Sequence, residues 1–234
     1  MDVGARLFLL GRFELRCEEE LVQLSNDEQR LLALLAVHER PVLRGFAAEV
    51  LWPHESEQQS EVILRETLWR LQAVHCDLVE GTQMHLRAAP SLWIDVKESL
   101  AHVPELPETE HVPELMKLLG WMQSDELLPG WREEWVTAAR KKLAEARVEI
   151  LERLSRRLTA EGRVDEGVQA GLAAVSADPL RESAQRVVIQ AFLAAGDVAQ
   201  AIHQYKEYRQ RLREELGTDP SPEIEELIPP LRAG

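Results

Sequence analysis

The stretch Ser60–His75, SEVILRETLWRLQAVH, decides how the first hundred residues are interpreted. Leu64, Leu68 and Leu71 recur at helical spacing, and His75 continues the same stripe. The opposite side carries arginines, glutamates and a tryptophan. The pattern predicts an amphipathic helix with one face in a protein core and a charged outer face.

The residues before this helix predict strands and two shorter helices. RLFLLGRFELRC, with Leu7, Leu9 and Leu15, has the alternation of a strand pair, and EELVQL continues as a short strand. SNDEQRLLALLAVH opens with the capping-box spacing of Ser25 and Glu28 and predicts a helix. RGFAAEVLW predicts a second helix that stops before a proline.

The residues after the helix predict a hairpin. DLVEGTQMHLRAAPSLWIDV has apolar residues suited to two strands on either side of a turn near Gly81. Strands, three helices and then a hairpin are the element order of a winged helix-turn-helix. We therefore predict an α+β winged helix-turn-helix domain over residues 1–97.

The second half of the chain predicts helices throughout. Residues 98–113 hold Pro104, Pro107 and Pro113 among acidic residues and are predicted to be a linker. Within residues 114–234, LTAEGRVDEGVQAGLAA aligns with FLAAGDVAQAIHQYKEY at an offset of 34 residues, placing Gly162 on Gly196. A period of about 34 residues is typical of tetratricopeptide helical hairpins, so we predict an all-α, tetratricopeptide-like repeat domain.

Composition excludes several classes of protein. No apolar run is long enough for a membrane span, and the amino terminus lacks a signal-peptide pattern, which favours a cytoplasmic protein. Cys17 and Cys76 form no metal-type or redox-type pair in the sequence, and the seven histidines show no ligand spacing. We expect no metal, no cofactor and no catalytic residues, and therefore no enzyme.

Several phrases of the sequence carry a resemblance to a known family. In the second half they are LLPGW at 127–131, DPLRESAQR at 178–186 and LGTDPSPEIEEL at 216–227. In the first half they are LFLLGRFEL, VLWP, LRETLWRL and LWIDV. With these phrases the chain resembles the transcriptional activators of the antibiotic-regulatory type, which join a winged helix to a bacterial transcriptional activation domain.

The resemblance implies a sequence-specific activator in its minimal two-domain form. It implies binding of direct repeats in promoter DNA, usually by a pair of protomers, and recruitment of RNA polymerase. Arginine suits phosphates and guanine edges, and glutamine suits adenine. The expected DNA contacts come from the helix, the wing and the helix before them: Arg44, Ser60, Arg65, Arg70, Gln72, His85 and Arg87.

Charge favours a second interpretation. The formal net charge is −14, and the first hundred residues hold 10 basic against 17 acidic residues, a net charge of −7. The acidity is therefore not confined to the second domain, although DNA binders usually present a basic face. In the alternative, Arg65 and Arg70 pair with Glu61 and Glu66 at i, i+4 spacing. The winged helix would then be a protein-binding module that no longer binds DNA.

Three tryptophans are candidate partner contacts. Trp69 lies on the outer face of the quoted helix, where we favour a core position at the domain edge over a protein contact or a base contact. Trp131 and Trp135 lie one helical turn apart. We favour packing of the first activation-domain helix onto its neighbours, with an exposed partner contact as the alternative.

Overall fold

The computed structural model describes residues 4–38, 40–101 and 126–228, which fold into two compact units. The first unit contains the described residues up to 101 together with residues 126–143. The second unit contains residues 144–228. None of the helices described is long and apolar enough to cross a membrane.

Among the described residues, the first unit contains two small sheets, four helices and the beginning of a fifth. Its strands are β1 (Arg6–Phe8), β2 (Glu14–Cys17), β3 (Glu20–Val22), β4 (Val42–Leu43), β5 (Val79–Gly81), β6 (His85–Ala88) and β7 (Trp93–Ile94). Its helices are α1 (Asn26–Val37), α2 (Arg44–Leu51), α3 (Glu57–Gln72) and α4 (Asp95–Ala101). One sheet has the order β3-β2-β1-β7, with β7 parallel to β1, and the other has the order β4-β6-β5.

Local sequence signals explain where these helices begin and which side they bury. The capping box predicted before α1 is formed, and the Ser25 N–H donates to the Glu28 carboxylate at 2.6 Å. Leucines of α1, α2, α3 and β6 fill the core between the helices and the second sheet, since each is almost fully buried. The element order and the packing confirm the predicted winged helix-turn-helix.

Residues 126–143 lie in the first unit, not with the helical repeats as the predicted boundary at residue 114 implies. Leu127 forms a β-bridge with Leu10, and the Leu128 N–H donates to the Leu9 carbonyl at 2.8 Å. Both leucines of LLPGW are buried, and the Arg140 guanidinium donates to the Leu127 carbonyl at 2.8 Å. This pairing uses two backbone groups just past the end of β1, the Leu9 carbonyl and the Gly11 N–H, which donates to the Glu126 carbonyl at 2.9 Å. A sequence pattern does not reveal which edge a short extended segment will pair with.

The predicted linker is described only in part. Residues 98–101 belong to α4, which extends the folded region past the predicted boundary at residue 97. The carboxylate of Asp95, the first residue of this helix, accepts from the Val96 N–H at 2.7 Å and from the Leu9 and Leu10 N–H groups at 2.9 and 3.0 Å. Residues 102–113 lie outside the described residues.

The second unit is built from helical hairpins. It contains the carboxyl-terminal part of α5 (Glu134–Ala160), then α6 (Val164–Ala177), α7 (Glu182–Ala194), α8 (Val198–Leu216) and α9 (Pro222–Glu225). Pro179 lies between α6 and α7, as predicted. Buried residues of α7, α8 and α9 form an apolar core around Ile189, Tyr208 and Ile224.

The 34-residue repeat corresponds to a repeated turn. Gly162 and Gly196 both adopt the left-handed conformation, with φ of 79° and 76°. After Gly162, the Arg163 N–H donates to the Leu158 carbonyl at 2.9 Å, and after Gly196 the Asp197 N–H donates to the Phe192 carbonyl at 2.9 Å. The same helix-ending motif therefore closes α5 and α7, which confirms the tetratricopeptide-like repeat.

Two of the phrases that carry the family resemblance have a structural role in this unit. In DPLRESAQR, Arg181 and Ser183 donate to the buried Glu152 carboxylate at 2.8 and 2.6 Å. In LGTDPSPEIEEL, the Ser221 N–H donates to the Glu182 carboxylate at 3.0 Å. Each phrase therefore connects one helix to a neighbour through a carboxylate.

Candidate nucleic-acid interface

Helix α3 presents a continuous exposed face on the side opposite its leucines. The helix begins at Glu57, earlier than predicted, because the Ser56 hydroxyl caps it by accepting from the Gln59 N–H at 3.3 Å. Leu64, Leu68 and Leu71 are buried, as their spacing predicts. The residues of the outer face are all exposed: Val62, Arg65, Glu66, Trp69, Arg70, Gln72 and Ala73.

Two residues assigned from the sequence do not fit their predicted places. Ser60 was predicted to contact DNA, but it is 4% exposed and its hydroxyl donates to the Glu57 carbonyl at 3.0 Å. It lies one turn before Leu64, on the buried side. His75 was predicted on the buried stripe, but α3 ends at Gln72 and His75 is exposed beyond it.

Arg65 and Arg70 form no ion pair with any carboxylate of the residues that the structure describes. The i, i+4 pairs with Glu61 and Glu66 that the sequence allows are therefore not formed. Both guanidinium groups point into solvent from an exposed face. They are available to an anionic ligand without first breaking an internal contact.

Trp69 is an exposed residue. Its exposed fraction is 72%, so the favoured prediction of a core position is wrong. The reason is its phase on the helix, because it follows the buried Leu68 by one residue and is turned about 100° away from it. Val62, 39% exposed, shares this face.

The wing is the hairpin of β5 and β6, and Arg44 fixes its turn. The Arg44 N–H donates to the Met84 carbonyl and its guanidinium to the Thr82 carbonyl, each at 2.9 Å. The paired strands leave no room for a side chain at Gly81, since a Cβ there would lie 2.8 Å from a Leu86 methyl. Arg44, a predicted DNA contact, therefore has a structural role at the turn of the wing.

Arg87 and His85, the two other predicted DNA contacts of the wing, differ in their surroundings. The Arg87 guanidinium donates to the Glu80 carboxylate at 2.9 Å, and both side chains are about half exposed. This pairing offsets the positive charge of the wing. His85 is half-buried where β6 pairs with β4.

Trp131 and Trp135 pack inside the first unit. The Trp131 ring stacks on Phe13 with the ring centres 6.2 Å apart and meets Trp135 edge-on at 6.1 Å. The Trp131 ring therefore packs onto Phe13 of the winged helix, whereas the sequence pattern predicted packing of the first activation-domain helix onto its neighbours. Trp135 also lines a surface groove of about 1160 Å³ with Phe46 of α2.

Three possible metal ligands that are far apart in the sequence come together in the first unit. The thiols of Cys17 and Cys76 and a ring nitrogen of His75 lie within 4.8 Å of one another. Burial and the neighbouring Cys76 thiol raise the pKa of Cys17 to about 12. Cys17 ends β2, whereas His75 and Cys76 follow α3, so only the fold brings them together.

Comparisons with known proteins fit this architecture. A sequence profile described as bacterial transcriptional activator domain matches residues 120–232. The second half of the chain is therefore similar to bacterial transcriptional activator domains. The matched range includes residues 126–143, which lie in the first unit.

Two curated relatives match almost the whole chain. The regulatory protein AfsR of Streptomyces coelicolor is 29% identical over 220 residues, covering 89% of this chain and 22% of its own length. AfsR of Streptomyces griseus is 26% identical over 239 residues, covering 95% of this chain and 24% of its own. The chain thus spans between a fifth and a quarter of the length of these relatives. The matches confirm the resemblance to transcriptional activators of the antibiotic-regulatory type.

A solved structure has the same fold. Mycobacterium tuberculosis EmbR, in complex with a low-affinity phosphopeptide, superposes with a TM-score of 0.74 at 18% identity. The match covers 95% of this chain and 63% of that one. This similarity supports the combination of a winged helix with helical repeats.

Proposed function

We propose that the chain is a transcriptional activator that binds promoter DNA with the outer face of α3 and with the β5–β6 wing. The observation that carries the proposal is the state of Arg65 and Arg70. Both are exposed, and neither is paired with a carboxylate in the described part of the chain, although Glu61 and Glu66 lie one turn away.

The geometry of α3 suits a major groove. Arg65 and Arg70 are five residues apart, about 7.5 Å along the helix axis at about 1.5 Å per residue. The major groove of B-DNA admits an α-helix, and arginine binds guanine edges or phosphates there. Gln72, on the same face near the end of the helix, has the donor and acceptor pair that binds adenine.

Because the chain is acidic, its affinity for DNA depends on the positions of a few arginines. With a net charge of −14, general attraction to DNA is weak, so a few placed cations must supply the affinity. Arg87 contributes less than Arg65 or Arg70 because Glu80 already accepts its hydrogen bonds. We expect the complex to be sensitive to salt and to the loss of either α3 arginine.

The experiment compares two double variants with the same charge. Arg65→Ala with Arg70→Ala removes the proposed contacts, whereas Arg156→Ala with Arg211→Ala removes two exposed arginines of the second unit. Each pair changes the formal net charge from −14 to −16. Binding is measured by fluorescence anisotropy on DNA from the upstream region of the chain's own gene, at several salt concentrations.

The proposal predicts that only the first pair weakens binding. A bidentate arginine–guanine contact contributes roughly 1–3 kcal/mol, or about 5- to 150-fold in affinity for each arginine. Where an arginine contacts a phosphate instead, its loss reduces the slope of log affinity against log salt by about 0.9. Equal affinities for the two double variants would remove α3 from the DNA interface.

The exposure of Trp69 supports a second candidate function, docking of a protein on α3. Trp69 and Val62 form an apolar strip flanked by Glu61 and Glu66. Large exposed tryptophans are frequent anchors in protein interfaces. This function requires that Trp69→Ala abolish partner capture, and that the wild-type chain show no DNA binding even at low salt.

We infer that the helical unit supplies the protein contacts of the activator, with RNA polymerase or a second copy of this chain. The match of residues 120–232 to a transcriptional activator domain supports this role. Stacked helical hairpins also form extended surfaces suited to protein binding. Sedimentation of the chain with and without promoter DNA tests for the dimer, and co-purification with polymerase tests for the second partner.

A further inference from the structure

A cluster of three side chains in the first unit has the composition of a metal site. Cys17, His75 and Cys76 place two sulfurs and one ring nitrogen within 4.8 Å of one another. They are the only two cysteines of the chain and the histidine adjacent to one of them. The proposed DNA interface uses none of the three.

The donor atoms select a thiophilic ion. Thiolate and imidazole ligands favour zinc or monovalent copper, whereas magnesium and calcium require oxygen ligands. Zinc binds sulfur at about 2.3 Å and nitrogen at about 2.0 Å, so neighbouring ligands of a tetrahedral zinc lie about 3.3–3.8 Å apart. The cluster therefore requires at most a small inward movement of its donor atoms.

The three ligands differ in how freely their side chains can move. Cys17 is fully buried at the end of β2, which is an inner strand of its sheet, and supplies a fixed ligand. His75 is exposed and Cys76 is half-buried, both in the turn between α3 and β5, so their side chains can adjust. The site thus combines one rigid ligand with two adaptable ones.

We propose that Cys17, His75 and Cys76 bind one zinc ion, with the fourth coordination position left to water. On binding, each thiol loses its proton to solvent and donates an electron pair to the ion, and the neutral imidazole donates through one nitrogen. A coordinating thiol is deprotonated by the ion itself. The bound ion joins the end of α3 to β2, and so fixes the carboxyl-terminal end of that helix.

The test uses the full chain, reduced and stripped of metal, and titrates it with cobalt(II) and then zinc. We expect one cobalt per chain, with sulfur-to-cobalt charge-transfer absorption and the visible bands of a tetrahedral ion, displaced by zinc. His75→Ala and Cys76→Ser should each weaken binding by about a hundredfold or more, since even outer-shell changes cost about 10- to 100-fold. His54→Ala, also exposed in the first unit, is the matched control and should bind as the wild type does.

The outcomes separate the alternatives. Absence of a sulfur-to-cobalt band overturns the site, and so does equal affinity in the His75→Ala variant, which keeps the fold because His75 is exposed. If the reduced chain binds no metal and air oxidation removes both free thiols, the cysteines form a disulfide couple and the zinc proposal is wrong. Because the readout is metal binding, its failure leaves the DNA proposal untouched.

Discussion

Gly171→Ala is a direct test of how closely the helices of the second unit approach. An alanine Cβ at this position would lie 2.9 Å from the Val188 Cβ, 3.0 Å from the Val188 Cα and 3.1 Å from the Ser155 hydroxyl. Val188 is stiff because it is β-branched, and its Cα moves only if α7 moves. The substitution therefore requires α6 and α7 to separate.

Two opposing terms set the size of the effect. Replacing a mid-helix glycine by alanine stabilises a helix by about 1 kcal/mol. Overpacking of a core costs roughly 1–3 kcal/mol, and contact with backbone places this site near the upper end. We expect the free energy of unfolding to fall by about 2 kcal/mol, which lowers the melting temperature of a unit of this size by about 10 °C.

The assay follows urea and thermal unfolding with two probes. Tryptophan fluorescence reports on the part of the chain outside residues 144–234, because the tryptophans are Trp52, Trp69, Trp93, Trp121, Trp131 and Trp135. Far-ultraviolet circular dichroism reports on the helices of both units. We expect Gly171→Ala to shift the circular dichroism transition more than the fluorescence transition.

The control is Gly45→Ala in α2. A Cβ at Gly45 would meet no atom within 4 Å, so this substitution should raise the free energy of unfolding by about 0.5–1 kcal/mol. If Gly171→Ala is as stable as the wild type while Gly45→Ala behaves as expected, α6 and α7 are not in the close contact described.

Two further predictions concern the aromatic stack and the acid sensitivity of the chain. Trp131→Ala should lower the free energy of unfolding by about 2 kcal/mol in urea titrations, less than the roughly 3–5 kcal/mol of a fully buried tryptophan. Trp69→Ala, exposed and without such a stack, should change it by at most about 0.5 kcal/mol. Hydrogen bonds from Arg213 and Arg209 lower the pKa of Asp219 from 3.8, so its contribution to stability is present above pH 3.8 and is lost as the pH falls through the lower folded pKa. Asp219→Asn should therefore flatten the acid side of a stability profile measured by urea unfolding, and an unchanged profile would show that the ion pair does not form in solution.

Local signals predicted much of the fold. The spacing of Leu64, Leu68 and Leu71 identified the buried side of α3 because helical periodicity is a property of neighbouring residues. The capping box of Ser25 and Glu28 marked the beginning of α1. The repeated glycine turns were visible as an offset of 34 residues because each hairpin repeats the same local geometry.

Features that depend on distant contacts were missed. The pairing of Leu127 with Leu10 involves backbone groups just past β1 that lie more than a hundred residues earlier in the sequence. Cys17 and Cys76 looked unrelated because their proximity arises only in the folded chain, where the turn after α3 lies beside the end of β2. Ser60 resembled an outward polar residue, but its hydroxyl is satisfied by its own helix and its side is buried.

The sequence indicated which face of α3 is exposed, but it did not indicate whether the arginines on that face form ion pairs with glutamates. The sequence placed Arg65 and Arg70 on the outer face of α3, and it also allowed each to be neutralised by a glutamate one turn earlier. Side-chain rotamers decide between these states, and composition does not determine them. The same holds for Arg87, whose pairing with Glu80 arises from cross-strand register.

The position of LLPGW bears on how the amino-terminal module should be cut for expression. A fragment that stops near residue 97 would lose the backbone pairing of Leu9 and Leu10 with Leu127 and Leu128. It would also lose the stacking of Trp131 on Phe13. Exposed strand edges next to bared apolar side chains promote aggregation. A fragment intended for binding studies should therefore extend through residue 143, and its solubility would depend on a motif that sequence boundaries assign to the other domain.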